Sequence, residues 1–273
     1  MSAYQDSAYQ DGADPCALTG RAVLVTGAGQ GVGRAIAHRC AGLGATVVVN
    51  DFYRDRADRV AAELTEQGHP AAVADCDVTD FAAVQAMVAG LTERVGGVDV
   101  LVNNAGNAGA AGGSLFTSPP FWETGPQDWD RWLGVNLFGV LNATRAVLPH
   151  MVTQGWGRVV SIISDAGRVG EASLVVYGGA KAGAAGFSRG LARAVGRHGV
   201  TVNCVALGAM NTDSVAEVTS DPAAVKKALG GYPIRRLGEP RDAANMVAFL
   251  ASDAASWVTG QTYPVNGGYS FAV

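Results

Sequence analysis

Seven short apolar runs, most of them rich in valine, recur along the chain with segments of helix length between them, and this alternation limits the fold more than any other feature. The runs cover residues 22–26, 46–50, 71–74, 100–103, 159–163, 201–206 and 262–265. Short unbroken apolar runs bounded by glycine mark strands buried on both faces. Amphipathic stretches occupy 55–67, 81–94, 128–153 and 176–198. Strands that alternate with helices belong to βαβ units and a parallel sheet. No break in composition interrupts the pattern. Residues 18–273 are therefore expected to form one α/β domain, a doubly wound parallel sheet of seven strands flanked by helices.

The first 17 residues stand apart. The string S-A-Y-Q-D at Ser2 is repeated at Ser7, the segment is polar, and no apolar face recurs in it, which predicts a flexible N-terminal arm. Of the 273 residues 48% are hydrophobic and 16% charged, as in a globular protein, and a net charge of −4 leaves no basic footprint for nucleic acid. No apolar run has membrane-spanning length, and the N-terminus lacks a basic region followed by an apolar one, so a cytoplasmic protein with no membrane partner is expected. Cys16, Cys40, Cys76 and Cys204 are scattered, as are His38, His69, His150 and His198. Their spacing predicts neither a metal site nor a disulfide framework.

The first run leads straight into G-A-G-Q-G-V-G, residues 27–33, and then into a helical pattern. Glycine at such a corner permits tight backbone angles, lets the main chain approach a pyrophosphate, and lets the next helix pack close to the strand. The helix N-terminus then offers unpaired N–H groups to phosphate. A dinucleotide is expected against Gly27, Gln30, Gly31, Val32 and Gly33. Asp51 follows the second run, 51 − 27 = 24 residues after Gly27, near the offset of about 20 at which a carboxylate grips the adenosine ribose. An acid there accepts from the 2′-hydroxyl and repels a 2′-phosphate. Gln30 is neutral, and Arg54 and Arg56 nearby weaken the preference without reversing it. NAD is the expected cofactor, ahead of NADP.

Tyr177 and Lys181 stand four residues apart in Y-G-G-A-K, a spacing that puts both on one helix face. An ammonium beside a phenol favours the phenolate, so the tyrosine pKa is expected to fall. Such a hydroxyl can exchange a proton with a substrate oxygen.

Taken together, T-G-x-x-x-G-x-G (Thr26, Gly27, Gly31, Gly33), N-N-A-G (Asn103 to Gly106) and a serine 177 − 164 = 13 residues before Y-x-x-x-K resemble the short-chain dehydrogenases/reductases, from Gly20 to Gly268. The resemblance implies a Rossmann-type, NAD-dependent oxidoreductase that interconverts a secondary alcohol and a ketone by hydride transfer. Tyr177 would be the acid/base, and Ser164 would hydrogen-bond the substrate oxygen. Lys181 would bind the nicotinamide ribose and lower the tyrosine pKa, and Asn136 would hold a relay water near the lysine. Asn136 equally suits a buried amide that satisfies local backbone. Asp77 and Val78 would flank adenine, Asn104, Ala105 and Gly106 would line the ribose and pyrophosphate, and Thr212 would bind carboxamide and phosphate. Leu207 stands where the family carries proline, which predicts a less rigid loop start. The family also implies a homotetramer paired through the 128–153 and 176–198 helices, where Gly183, Ala184, Ala185 and Gly186 permit close approach.

Two segments are expected to choose the small-molecule substrate: a long connection over 107–127 and a lid over about 208–232, apolar at Met210, Val215, Leu229 and Tyr232. Trp129 and Trp132 read as helix core. The string S-D-A-G-R-V-G-E from Ser164 is similar to hydroxyacyl-CoA and 2-hydroxycyclohexanecarboxyl-CoA dehydrogenases of the family, which implies a hydroxyacyl thioester or a cyclic secondary alcohol. Sugar, steroid and polyketide-like ketones are the alternatives. A catalytically idle dinucleotide-binding regulator is the reading from another class, and an intact Ser164, Tyr177 and Lys181 set argues against it.

Overall fold

Each apolar run is a strand in the computed structural model, which describes residues 14–106, 119–212 and 229–271. The strands are β1 (Ala22–Val25), β2 (Thr46–Asp51), β3 (Ala71–Asp75), β4 (Val100–Asn103), β5 (Gly157–Ser164), β6 (Val200–Leu207) and β7 (Thr262–Val265). They form one sheet in the order β3-β2-β1-β4-β5-β6-β7, parallel at every pairing. The helices are α1 (Gly31–Ala41), α2 (Arg54–Glu66), α3 (Phe81–Val95), α4 (Pro126–Leu133), α5 (Gly139–Gln154), the short α6 (Ala166–Val169), α7 (Val175–Val195) and α8 (Pro240–Ala251).

Side chains alternate across a strand, and β1 divides its residues accordingly. Val23 and Val25 enter one core, with Ile36 of α1, Val60 and Leu64 of α2, and Val247 and Leu250 of α8. Leu24 enters the other, with Val84, Val88 and Leu91 of α3, Val147 and Met151 of α5, and Val195 of α7. Both faces are covered, so the strands carry continuous apolar runs rather than alternating ones. Each fully buried Val or Leu contributes roughly 1.5–3 kcal/mol.

Helix α8 escaped the periodicity reading. It buries Ala243, Ala244, Val247, Ala248, Leu250 and Ala251 on one face; Pro240 occupies the first turn, where a missing N–H costs nothing, and the Glu239 N–H donates to Asp242 Oδ2 at 2.7 Å. The single helix expected over 128–153 is divided. Between α4 and α5 the chain widens into a π-helical turn, Gly134–Phe138. The reason lies in Asn136, whose side-chain Nδ2 donates to Trp132 O at 3.0 Å. That carbonyl, four residues back, is the regular acceptor of the Asn136 backbone N–H, so the side chain competes with the ladder.

Residues 1–13 of the expected arm, 107–118 of the long connection and 213–228 of the lid lie outside the described residues. Pro15, in the arm as delimited from sequence, accepts a hydrogen bond from the Ala254 N–H at 3.0 Å. Among the described residues no helix is long and apolar enough to cross a membrane, and no group of three or more His, Cys, Asp or Glu is placed to hold a metal ion.

Candidate active site

Strand order reverses at β1 and β4: the connection after β1 leads outward to β2, that after β4 outward to β5. Chain leaving the two strands in opposite directions opens a crevice at their C-terminal ends, which is where doubly wound proteins bind ligands. A cleft of about 690 Å³ lies there. Among its lining are the glycine-turn residues Gly27, Gln30, Gly31, Val32 and Gly33, together with Asp51, Asp77 and Val78. Asn104, Ala105, Gly106, Ser164, Tyr177, Lys181 and Thr212 line it as well. Of the residues given a catalytic or cofactor role from sequence, Asn136 alone is not part of this lining.

The glycine turn is braced from β4. Thr26 Oγ1 accepts from the backbone N–H groups of Asn104 and Ala105, both at 3.0 Å. Asn104 Nδ2 donates to Thr26 O at 3.0 Å and to Gly27 O at 2.9 Å. The Asn104 amide, expected to line the ribose side, thus spends its donors on the turn. Gly27 and Gly31 have φ of +62° and +53°, which an L side chain resists. A Cβ on Gly33 would fall on Gly27 O and the Asn104 amide. The main chain stays bare there, α1 begins at the turn, and no acidic side chain sits in its first helical turn. These features suit a pyrophosphate.

Asp51 ends β2 with its carboxylate fixed by two backbone donors, Gly29 N to Oδ2 and Tyr53 N to Oδ1, both at 3.0 Å. The Arg54 charge is answered by Asp58 at 3.1 Å and Asp75 at 2.9 Å. The Arg56 guanidinium lies over the Tyr53 ring, 4.4 Å from its centroid, and Arg56 also lines the cleft. Asp77 Oδ1 accepts from Thr79 N and Thr79 Oγ1, both at 2.8 Å, which closes the turn before α3.

Tyr177 lies in the first turn of α7, Lys181 one turn on, and Ser164 at the last position of β5. Lys181 is buried, donates from Nζ to Ile162 O at 2.9 Å, and sits 5.7 Å from the centroid of the Tyr177 ring. The Trp132 ring, buried in α4, meets that of Tyr177 edge-on at 5.9 Å. Asn136 Oδ1 and Lys181 Nζ each lie 3.2 Å from the point where a Cβ on Gly106 would stand, so the amide and the ammonium converge behind that glycine. Burial pushes the Lys181 ammonium down to about 8. It pushes the Tyr177 hydroxyl up to about 12, opposed by the Ser164 hydroxyl. The fall expected from the lysine does not appear. Desolvation of the phenol sets the direction, and the ammonium is turned toward a backbone carbonyl.

Leu207, where a less rigid loop start was expected, continues regular strand instead. It is the last residue of β6, in register with Ser164 on one side and Val265 on the other, and its carbonyl accepts from Asp165 N at 3.0 Å. The loop beyond is tied down by Asn211 N to Gly238 O at 2.7 Å and Gly238 N to Ala209 O at 2.9 Å. The sequence reading also passed over the segment after β7. Tyr269 from that segment lines the cleft and stacks on Tyr232, with centroids 4.9 Å apart. The signal available was Gly267-Gly268, both at positive φ, which turns the chain back toward the site.

The fold, the glycine turn at the switch point and the Ser164–Tyr177–Lys181 group define a dinucleotide-dependent α/β oxidoreductase. A family model described as enoyl-(acyl carrier protein) reductase matches residues 27–270. The chain is 36% identical to the 7alpha-hydroxysteroid dehydrogenase of Escherichia coli (strain K12) over 255 residues, 93% of this chain and 96% of that protein. It is 39% identical over 253 residues to the (2S)-[(R)-hydroxy(phenyl)methyl]succinyl-CoA dehydrogenase subunit BbsD of Thauera aromatica, covering 93% of this chain and 98% of that one. A solved structure of a gluconate 5-dehydrogenase from Burkholderia cenocepacia J2315, in complex with NADP and tartrate, aligns with a TM-score of 0.87 at 32% identity, covering 95% of this chain and 99% of that one. The chain belongs to the short-chain dehydrogenase/reductase family and is an NAD(P)-dependent enzyme acting on CH–OH groups.

Proposed function

We propose that the enzyme interconverts a secondary alcohol and a ketone with NAD, Tyr177 exchanging the proton of the alcohol oxygen. The observation that carries this reading is the meeting, in one cleft, of Ser164, Tyr177 and Lys181 with the glycine turn and Asp51. When bound, the nicotinamide accepts or supplies the hydride. Gly27, Gly31 and Gly33, with the N-terminus of α1, hold the pyrophosphate. Asp51 holds the adenosine ribose, Asp77 and Val78 border the adenine, and Thr212 holds the nicotinamide end. Ser164 Oγ orients the substrate oxygen beside Tyr177. Lys181 and Asn136, converging behind Gly106, carry the proton onward from the phenol. Holding the reacting groups in this arrangement is itself a large part of the acceleration.

The choice of NAD rests on Asp51. Its carboxylate cannot swing away from a 2′-phosphate, because two backbone N–H groups hold it. Arg56 at the same end draws the other way, and NADP is bound in the gluconate 5-dehydrogenase neighbour. Wild type is expected to prefer NAD, and Asp51→Ala to lower the NAD-over-NADP ratio of kcat/KM by about tenfold or more, the worth of one charged hydrogen bond together with relief of repulsion. Steady-state rates with each cofactor measure this, and a wild type that prefers NADP sinks the argument. A panel of secondary alcohols and ketones, followed by nicotinamide absorbance, tests the reaction itself. Turnover of none of them in either direction would favour the idle regulator.

Assembly as a homotetramer belongs to the same proposal. Ala184 and Ala185, expected at the helix interface, are instead buried in the chain's own core, and a Cβ on Gly183 would meet Leu137 at 3.4 Å; among the described residues nothing lies within 4 Å of a Cβ placed on Gly179 or Gly190 of α7, and Phe138 beside α5 is 53% exposed. Sedimentation is expected to give a four-chain species, and a monomer at micromolar concentration contradicts it.

A further inference from the structure

The segment after β7 is bound to the exit of β5 by a closed polar network. Arg168 Nη1 donates to Asp165 Oδ1 and to Ser270 Oγ, each at 2.7 Å, and Nη2 donates to Phe271 O at 3.1 Å. Asn266 Nδ2 donates to Asp165 Oδ2 at 2.6 Å and to Ser270 O at 2.9 Å, and Ser270 Oγ donates to Asp165 Oδ1 at 2.9 Å. Asp165 is buried and directly follows Ser164. The tail is thereby fixed to the strand end that carries Ser164. Tyr269 reaches from it to stack on Tyr232, whose hydroxyl accepts from Ala209 N at 3.1 Å. One unit thus joins the β5 exit, the described ends of the lid segment and the tail around the mouth of the cleft.

The chemistry of that mouth is one-sided. Beyond Tyr177 and Lys181 the wall is apolar or aromatic: Val169, Leu174, Met210, Tyr232 and Tyr269. The charged groups lining this end, among the described residues, are Asp165, which is paired with Arg168, and Glu171. Arg168, the cation between them in sequence, has its guanidinium engaged by a carboxylate, a hydroxyl and a carbonyl. Beyond Lys181, an anionic substrate would meet no cation at this mouth among the described residues, whereas a neutral ring gains apolar contact at each of these side chains.

We propose that the tail clamped by Arg168 is the specificity wall of this site, and that it admits a neutral, apolar, ring-sized secondary alcohol or ketone. The inference rests on the alcohol/ketone reading above. Arg168 acts as a positioning residue and Tyr269 as a substrate contact.

The test uses the full-length enzyme with a saturated bicyclic secondary alcohol, its ring carboxylate counterpart, gluconate, and a short 3-hydroxyacyl thioester. The neutral ring alcohol is expected to exceed the carboxylate and gluconate by about a hundredfold in kcat/KM, the cost of desolvating an unpaired charge. Tyr269→Ala should raise KM for the ring alcohol about tenfold while kcat and the NADH Kd stay within about threefold. Arg168→Ala should raise KM in the same way, and Arg168→Lys should recover part of the loss, because lysine keeps one of the three partners. Preference for an anionic substrate or for the thioester overturns the proposal. So does an unchanged KM in Tyr269→Ala, or a rise in NADH Kd that matches the rise in KM. Where no panel member turns over, failure of the ring ketone to raise the melting temperature of the NADH complex overturns it equally. Tyr177→Phe, run beside these, separates the two readings: activity surviving in that variant refutes the acid/base assignment and leaves the wall standing.

Discussion

Tyr177→Phe is expected to lose turnover by about 10²–10⁴-fold, the range supplied by a positioned proton donor, while its affinity for NADH stays within about twofold of wild type. The variant removes one oxygen and keeps the ring, so the edge-on contact with Trp132 and the start of α7 remain. Burial holds the hydroxyl at about 12 in this structure. The phenol is therefore protonated through neutral pH and stands ready as a donor to a ketone oxygen. Running it as a base, for alcohol oxidation, requires that charge elsewhere in the assembled site pull this value down. Fluorescence titration with NADH and single-turnover rates measure the two halves of the expectation. Activity near wild type would remove Tyr177 from the mechanism. Loss of NADH binding in step with turnover would mean that the variant damages the fold instead.

Lys181→Met is expected to abolish useful turnover and yet to make the protein more stable near neutral pH. Lys181 is buried and its pKa falls from 10.5 to about 8. Between about pH 8 and 10.5 the unfolded chain holds a proton that the native state has released, so wild-type stability rises with pH through that window. Below it the native state carries the full cost of a desolvated ammonium, roughly 3 kcal/mol at 1.36 kcal/mol per unit. The Ile162 carbonyl would lose its Nζ donor, which returns about 1–2 kcal/mol of that gain. The net advantage of methionine is about 1–2 kcal/mol at neutral pH, a melting point higher by roughly 2–8 °C, and it shrinks as pH rises from about 8 and is gone by about 10.5. Thermal melts across pH measure this directly. A methionine variant that melts below wild type at neutral pH would show that the Ile162 hydrogen bond, not desolvation, dominates at this position. A buried cation held at such a cost in stability is what the proposed role of Lys181 in the proton path requires.

The sheet was legible because its strands are buried on both faces, which leaves an apolar run with little to confuse it. β1, β2 and β4 fall within a residue of the runs at 22–26, 46–50 and 100–103. Helix α8 was missed because its periodic buried face, Ala243, Ala244, Val247, Ala248, Leu250 and Ala251, is mostly alanine and stands out little in an apolar chain. The division of the 128–153 helix was missed for a different reason: a π-helical turn needs one side chain, Asn136, to displace a backbone donor, and periodicity averages that away. The glycine turn and Asp51 stood out from spacing because each lies at a strand end that the runs locate, and Tyr177 and Lys181 from their helical spacing, whereas Ser164 came from the family resemblance; the fold brings all of them to one cleft. Arg168 was not. In the sequence it belongs to a string that looks like substrate chemistry, and its partners Ser270 and Phe271 lie about a hundred residues away.

From the sequence alone come the strand and helix alternation, the glycine turn after β1 and the placing of Tyr177 and Lys181 on one helix face, since all depend on short spacings and on the two periods of regular backbone. Contacts between distant segments belong to the tertiary structure. It decided that Asn104 braces the turn, that Lys181 faces the Ile162 carbonyl, and that Arg168 is spent on the tail. It also decided the direction of the Tyr177 shift. A charge effect between residues four apart can be read from their spacing, but desolvation depends on everything the fold packs around them.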